Sequence, residues 1–201
     1  MLREYQNHEK AIKRLSSKSS FTLSEADKAG LSHPEVLRLV KLGKITRIQR
    51  GLYSVSGNEP FGREADYQAA DKKFKSKSVV GGLTALSNYN LIQEVPSKIW
   101  LLVPEEVRTT DKKYRLLRTK KSLNSEIIKK PTYKIVTVER ALIDGLIYKT
   151  KIGERIVLTA TIKALKEKIT TEKKLFEAAK NIAALNILNK HWQVILAGLA
   201  T

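Results

Sequence analysis

Two hydroxyl–carboxylate pairs of identical spacing, Thr22 with Glu25 and Ser32 with Glu35, lie close together near the start of the chain. In such a pair the hydroxyl and the carboxylate satisfy backbone donors that the first turn of a helix leaves unpaired, so each marks a helix start. Two starts this close leave room for one short helix between them, predicted to end near Ala29, with Gly30 supplying a tight turn. Pro34 falls in the first turn of the second helix, where its missing N–H does little harm. That helix is predicted to reach Leu42 and to stop at Gly43. Ile45 to Gln49 and Leu52 to Val55 then flank Arg50-Gly51 in the manner of a hairpin, although the three-residue step from Ile45 to Ile48 breaks strict alternation. Helix, turn, helix and hairpin in this order form the pattern of a winged helix-turn-helix.

The second helix divides into two faces. Leu31, Val36, Leu37 and Val40 recur at helical spacing and are expected inside. His33, Glu35, Arg38 and Lys41 take the other side, and Lys44 follows just past the end. A helix that reads DNA presents base-contacting side chains in the groove and flanks them with positive charge for phosphates. Arg38 is the candidate for a base, because its fork matches guanine O6 and N7. Ser32 and the helix N-terminus suit a phosphate, and His33 stands beside them. Lys41, Lys44, Arg47 and Arg50 suit the sugar-phosphate backbone, the last two from the wing. Winged helices also dock proteins, so the fold alone does not decide between partners. The formal charge of +18 on 201 residues favours a polyanion, without which the chain repels itself.

A chain of this length suits one large domain or two small ones, and 42% hydrophobic residues suffice for true cores. Cysteine is absent, which removes disulfides and thiolate chemistry and fits a reducing cytoplasm. The start MLREYQNHEK has no apolar stretch of a secretion signal, and no run reaches bilayer length. The expectation is a cytoplasmic protein. Leu2, Tyr5, Ile12 and Leu15 mark an amphipathic helix packing on the helix-turn-helix, and SSKSS at 16–20 is a connector. The turn-rich segment Ser56 to Gly62 divides a winged-helix domain, 1–57, from a second domain, 63–201. The second domain reads as a helix to Phe74, a short strand at Ser78–Val80, a helix at Leu83–Leu91, and strands at Ile99–Val103, Tyr114–Thr119 and Tyr133–Val136. Helices at Val138–Tyr148, Gly153–Lys168, Glu172–Ile187 and Lys190–Leu199 complete it. The fold class is α+β, a winged helix-turn-helix followed by a small sheet framed by helices.

Catalytic signatures are scarce. His8, His33 and His191 stand in three different predicted helices without metal-ligand spacing, so neither a metal nor a cofactor is expected. Gly81 and Gly82 lack the further glycine or lysine of a phosphate cradle and read as a strand-to-helix turn. Glu139 and Asp144 have two readings: metal-binding carboxylates of a nuclease, or a helix-start carboxylate and an i,i+4 pair of Asp144 with Arg140. The second is preferred, since no further acidic pair with a lysine in strand context accompanies them. The basic segment Arg108 to Lys134 suits a wider DNA footprint, an acidic protein partner or a solvated surface, and its residues do not separate the three. No catalytic residue is assigned; a nucleic-acid enzyme with a nuclease-like second domain and a protein-docking adaptor remain the alternatives.

Three segments together, FTLSEADKAGL with LVKLGKITRIQRGLYSV, VVGGLTALSNYNL, and VTVERALIDGL ahead of IGE, resemble the AbiEi-type antitoxins. The resemblance covers roughly residues 21–180, with RGLY of the wing and VERALID as its sharper motifs. It implies a member of a type IV toxin–antitoxin pair from a bacterial abortive-infection system. In that family the N-terminal winged helix binds inverted repeats in the operon's own promoter and represses it. The C-terminal domain neutralises a nucleotidyltransferase toxin. Position by position, the resemblance places the DNA role on Ser32, His33, Arg38, Lys41, Arg47 and Arg50. Glu35 in the reading helix and a wing tip with less glycine and arginine depart from the family pattern and leave the operator sequence open. Inverted repeats require two copies of the protein on DNA, as a dimer or by cooperative binding of monomers.

Overall fold

The computed structural model describes residues 2–18, 20–58 and 62–200, and it forms two compact units, 1–73 and 74–201. The N-terminal unit runs α1 (Leu2–Ser16), β1 (Phe21–Thr22), α2 (Leu23–Ala29), α3 (His33–Lys41), β2 (Ile45–Gln49), β3 (Leu52–Val55) and α4 (Gly62–Lys73). Both capping boxes form. Gly30, at φ 97°, ends α2 in the left-handed region, and its N–H bonds back to Ala26 and Asp27. The strands lie in the order β1-β3-β2, all antiparallel. Arg47 pairs with Tyr53 and Gln49 with Leu52, so Ile48 is an extra residue in a bulge. That bulge accounts for the broken alternation between Ile45 and Ile48.

The core of this unit gathers Leu15, Phe21, Leu31, Val36, Leu39 and Ile45, with the Phe21 and Tyr53 rings stacked across the β1–β3 pair at 6.2 Å. Ala11, Leu15 and Ile12 bring α1 onto it, as expected. Leu2 and Tyr5, assigned to the same stripe, have side chains outside the described set. One inward assignment is corrected: Leu37 is 41% exposed, and Leu39, at 5%, takes its place in the core.

The boundary also moves. The predicted linker includes 59–61, outside the described residues, but the division falls between Lys73 and Phe74. The cause is an ionic tie inside the first unit. Lys72 on α4 donates to Glu25 of α2 at 2.6 Å and to the Ser20 carbonyl at 3.1 Å. Ser20 also reaches Gln68 of α4 at 3.3 Å. The compact units thus run 1–73 and 74–201, beside the 1–57 and 63–201 suggested by the sequence.

The C-terminal unit contains β4 (Val79–Val80), α5 (Gly82–Asn88), β5 (Ile99–Pro104), β6 (Tyr114–Thr119), β7 (Ile127–Lys129), β8 (Lys134–Val136), α6 (Val138–Ile147), α7 (Lys149–Ile152), α8 (Glu154–Lys166), α9 (Glu172–Asn181) and α10 (Leu185–Ala200). Its mixed sheet has the order β6-β5-β4-β8-β7, with β5–β6 and β4–β8 parallel and the other pairs antiparallel. The apolar run Ile99–Val103 is indeed a buried interior strand. Gly81 and Gly82 form a packing turn: a Cβ on Gly81 would sit 2.3 Å from Leu102 Cδ1. Two short elements, β7 and α7, interrupt segments that read as loop. The helix expected over Glu172–Ile187 breaks at 182–184, and α10 starts at Leu185. Among the described residues no helix is long and apolar enough to cross a membrane.

The Arg140–Asp144 pair forms and lies wholly inside. Both side chains are essentially inaccessible, with Nε 3.1 Å from Oδ2, and Arg140 Nη1 donates to the Ser122 and Ser125 carbonyls at 2.6 Å each. One guanidinium thus fastens α6 to the loop between β6 and β7. Burial pushes the Asp144 carboxyl above the ordinary carboxylate range, even with Arg140 beside it. Removing either partner of such a pair strands a buried charge, at a typical cost of about 3–5 kcal/mol.

Candidate nucleic-acid interface

The solvent face of α3 is built by the chemistry at its start. Glu35 Oε2 accepts from the Ser32 N–H at 2.7 Å and from the Ser32 hydroxyl at 2.5 Å. Its other oxygen, Oε1, lies 2.6 Å from His8 Nε2 on α1. The hydrogen bonds from Ser32, with that from His8, hold the Glu35 carboxyl down at about 2, against an ordinary 4.5. Both carboxylate oxygens are therefore engaged. The Ser32 hydroxyl is engaged too, so neither side chain stands free for an incoming phosphate. Tying Glu35 sideways keeps its negative charge beside the helix start, where the helix dipole favours it.

Beyond that start, His33, Pro34, Leu37, Arg38, Lys41 and Leu42 are exposed. His33, Leu37 and Lys41 fall on one i,i+4 stripe, and Pro34, Arg38 and Leu42 on the next. Val36 and Leu39 face the opposite way, into the core. The wing continues the basic character: Arg47 is exposed on β2, Arg50 is exposed in the turn before β3, and Lys44 is exposed between α3 and β2. The structure thus brings Arg38, Lys41, Lys44, Arg47 and Arg50 onto the exposed surface of one short stretch, α3 and its wing.

The comparisons bear on this segment. Residues 10–56 match the family described as transcriptional regulator, AbiEi antitoxin. The AbiEi-like segment runs from within α1 to the end of the wing and contains every predicted DNA-contact residue. Over 96% of this chain and 81% of the other, the fold is similar to the crystal structure of the RV2827C protein from Mycobacterium tuberculosis, with a TM-score of 0.60 and 10% identity. That likeness concerns the fold. A search of curated proteins found no match.

His8 lies just ahead of the AbiEi-like segment, and sequence reasoning missed its part. Nothing in the sequence links it to Glu35 across 27 positions; only packing of α1 beside α3 does. Of the other histidines, His33 is exposed on α3, while His191 has Nδ1 2.8 Å from the Ile187 carbonyl and Nε2 3.2 Å from Glu154 Oε1. The carboxylates considered for a nuclease are engaged in packing. Asp144 is buried against Arg140, and Glu139 accepts from Thr170 at 2.6 Å.

Several cations of the basic stretch 108–134 make contacts within the C-terminal unit. Arg115 lies over the Trp100 ring, Arg118 donates to the Val107 carbonyl, and Lys121 donates to Ile182 and Ala183. Lys134 donates to the Ser76 carbonyl. Tyr114 and Tyr133 are buried, the first on β6 and the second just ahead of β8.

Acid should loosen this unit in a defined window. Burial would raise Glu25, but Lys72, Thr22 and Lys18 hold it at about 2, and Glu35 is held there as well, both from 4.5. A carboxylate depressed in the fold contributes stability that is complete above its unfolded value and is lost as the pH falls towards the folded one. Amide protection of Val36 and Leu39 should therefore decline from about pH 4.5 towards about 2. Glu35→Gln should flatten that decline, and an unchanged acid limb in the variant would show that Glu35 contributes nothing to it.

Proposed function

We propose that the N-terminal unit binds double-stranded DNA through α3 and the β2–β3 wing, and that the protein is a transcriptional regulator of the antitoxin kind. The observation that carries this reading is a coincidence. The segment matching AbiEi regulators is the one whose exposed helix face holds Arg38 and Lys41, continued by Lys44, Arg47 and Arg50. In this reading Arg38 bonds a guanine edge in the major groove, while Lys41, Lys44, Arg47 and Arg50 neutralise phosphates. His33 stands at the entry of the helix into the groove. Ser32 and Glu35 act by holding the helix start.

Arg38→Ala should weaken binding to a preferred duplex by about 1–3 kcal/mol and relax the preference at one position. Lys41→Ala should weaken all sequences alike and reduce the slope of log K against log salt by about one. Gel-shift titrations on preferred and random duplexes separate the two. Equal losses on both duplexes for Arg38→Ala would remove it from base reading.

We further propose repression of the protein's own promoter at inverted repeats, and neutralisation of a nucleotidyltransferase toxin by the C-terminal unit. The antitoxin description of the family matched over residues 10–56 supports a toxin partner. Further support is an open cleft of about 570 Å³ in the C-terminal unit, where Val95 and Pro96 stand with Lys98, Arg115 and Lys151, three cations against the one carboxylate of Glu94. That chemistry suits an acidic segment carrying an apolar side chain. Where a nucleotidyltransferase is encoded beside this gene, in cells expressing it the Arg38→Ala chain should restore growth while failing to repress a promoter reporter. Loss of rescue together with repression would contradict the division of labour.

A further inference from the structure

The exposed face of α3 is not uniformly basic. Leu37 is 41% exposed on it, between His33 and Lys41 on the same stripe and beside Arg38. The sequence offers the core an alternative at this point, and the fold uses it: Leu39 fills the interior at 5% exposure while Leu37 is left outside. An exposed leucine between His33 and Lys41, beside Arg38, has no role in contacting phosphates. In the major groove only one base edge offers an apolar partner, the C5-methyl of thymine.

We infer that Leu37 is a specificity-determining residue that packs on a thymine methyl next to the base pair met by Arg38. The inference rests on the DNA-binding reading above and deepens it. Charge complementarity selects the occupant of this face: exposed Arg38 and Lys41 on α3, Lys44 after it, and Arg47 and Arg50 on the wing suit a polyanion. The side chains divide the work. Arg38 supplies the donor fork, the lysines and the wing set the register on the backbone, and Leu37 adds an apolar contact that uracil lacks. Glu35, held by Ser32 and His8, stays clear of this contact. Arg38 and Leu37 are neighbours in the chain on adjacent stripes, so the bases they meet should be adjacent or one step apart.

The test uses the full-length protein and a duplex that the wild type itself selects from a randomised pool. The duplex is resynthesised with dU replacing dT at one position at a time, which removes single methyl groups and leaves pairing intact. At one thymine in each bound half-site, dU should weaken wild-type binding roughly three- to fivefold, the value of one buried methyl. Leu37→Ala should bind the unmodified duplex more weakly and show no further loss with dU at that position. Arg38→Ala should keep the dU penalty. Far-UV circular dichroism of Leu37→Ala should match the wild type, since the residue is exposed. An enriched duplex on which every dU is neutral, or a Leu37→Ala chain that retains the full dU penalty, overturns this inference alone. A selection that enriches no sequence above random DNA overturns the DNA-reading function along with it.

Discussion

Glu35 takes hydrogen bonds from the Ser32 N–H, the Ser32 hydroxyl and His8, and in doing so fixes the start of α3 in three directions. The direction of that helix decides which residues it buries and which it shows. With its first turn capped and tied to α1, Val36 and Leu39 enter the core beside Phe21 and Ile45. Arg38, Lys41 and Leu37 are left outside as a consequence. A carboxylate that looks out of place on a helix proposed to face DNA therefore serves the helix. Charge on the exposed face remains positive because Arg38, Lys41 and Lys44 outnumber this one carboxylate.

The C-terminal unit uses the same device more deeply. Arg140 and Asp144 are sealed inside, and the spare guanidinium donors hold the carbonyls of Ser122 and Ser125. An arginine suits this place because its planar fork serves several acceptors at once, as a lysine's point charge does not. The carboxylate that a nuclease would need exposed to a metal is here spent on fastening a helix to a loop.

Much of the N-terminal unit was legible because its signals are local. Capping residues, Gly30 and the Arg50-Gly51 turn act within a few positions, and the strands of the wing fall at the residues the sequence marks. The inner face of α3 was legible but misread: Leu39 and Val40 stand three and four positions from Val36 and share its face, whereas Leu37, one position on, does not, and Leu39 is the residue buried. The place of the break between α9 and α10, expected after Ile187 and found at 182–184, was not legible. No glycine or proline marks it, Ala183 adopts φ 52°, and the freed carbonyls of Ile182 and Ala183 are met by Lys121 from a distant loop. Likewise β7 pairs only with β8 at the sheet edge, in a lysine-rich stretch too short to show alternation. Of the interface, the basic residues were readable one by one. The tie from His8 required the fold.

The claim on which the functional reading stands is that α3 and the wing meet DNA. Amide hydrogen exchange of the full chain, with and without a saturating duplex, tests it directly. Protection gained on binding should concentrate between Ser32 and Val55 and weaken as salt is raised. Protection confined to the C-terminal unit, or none in α3 and the wing at saturation, would contradict it.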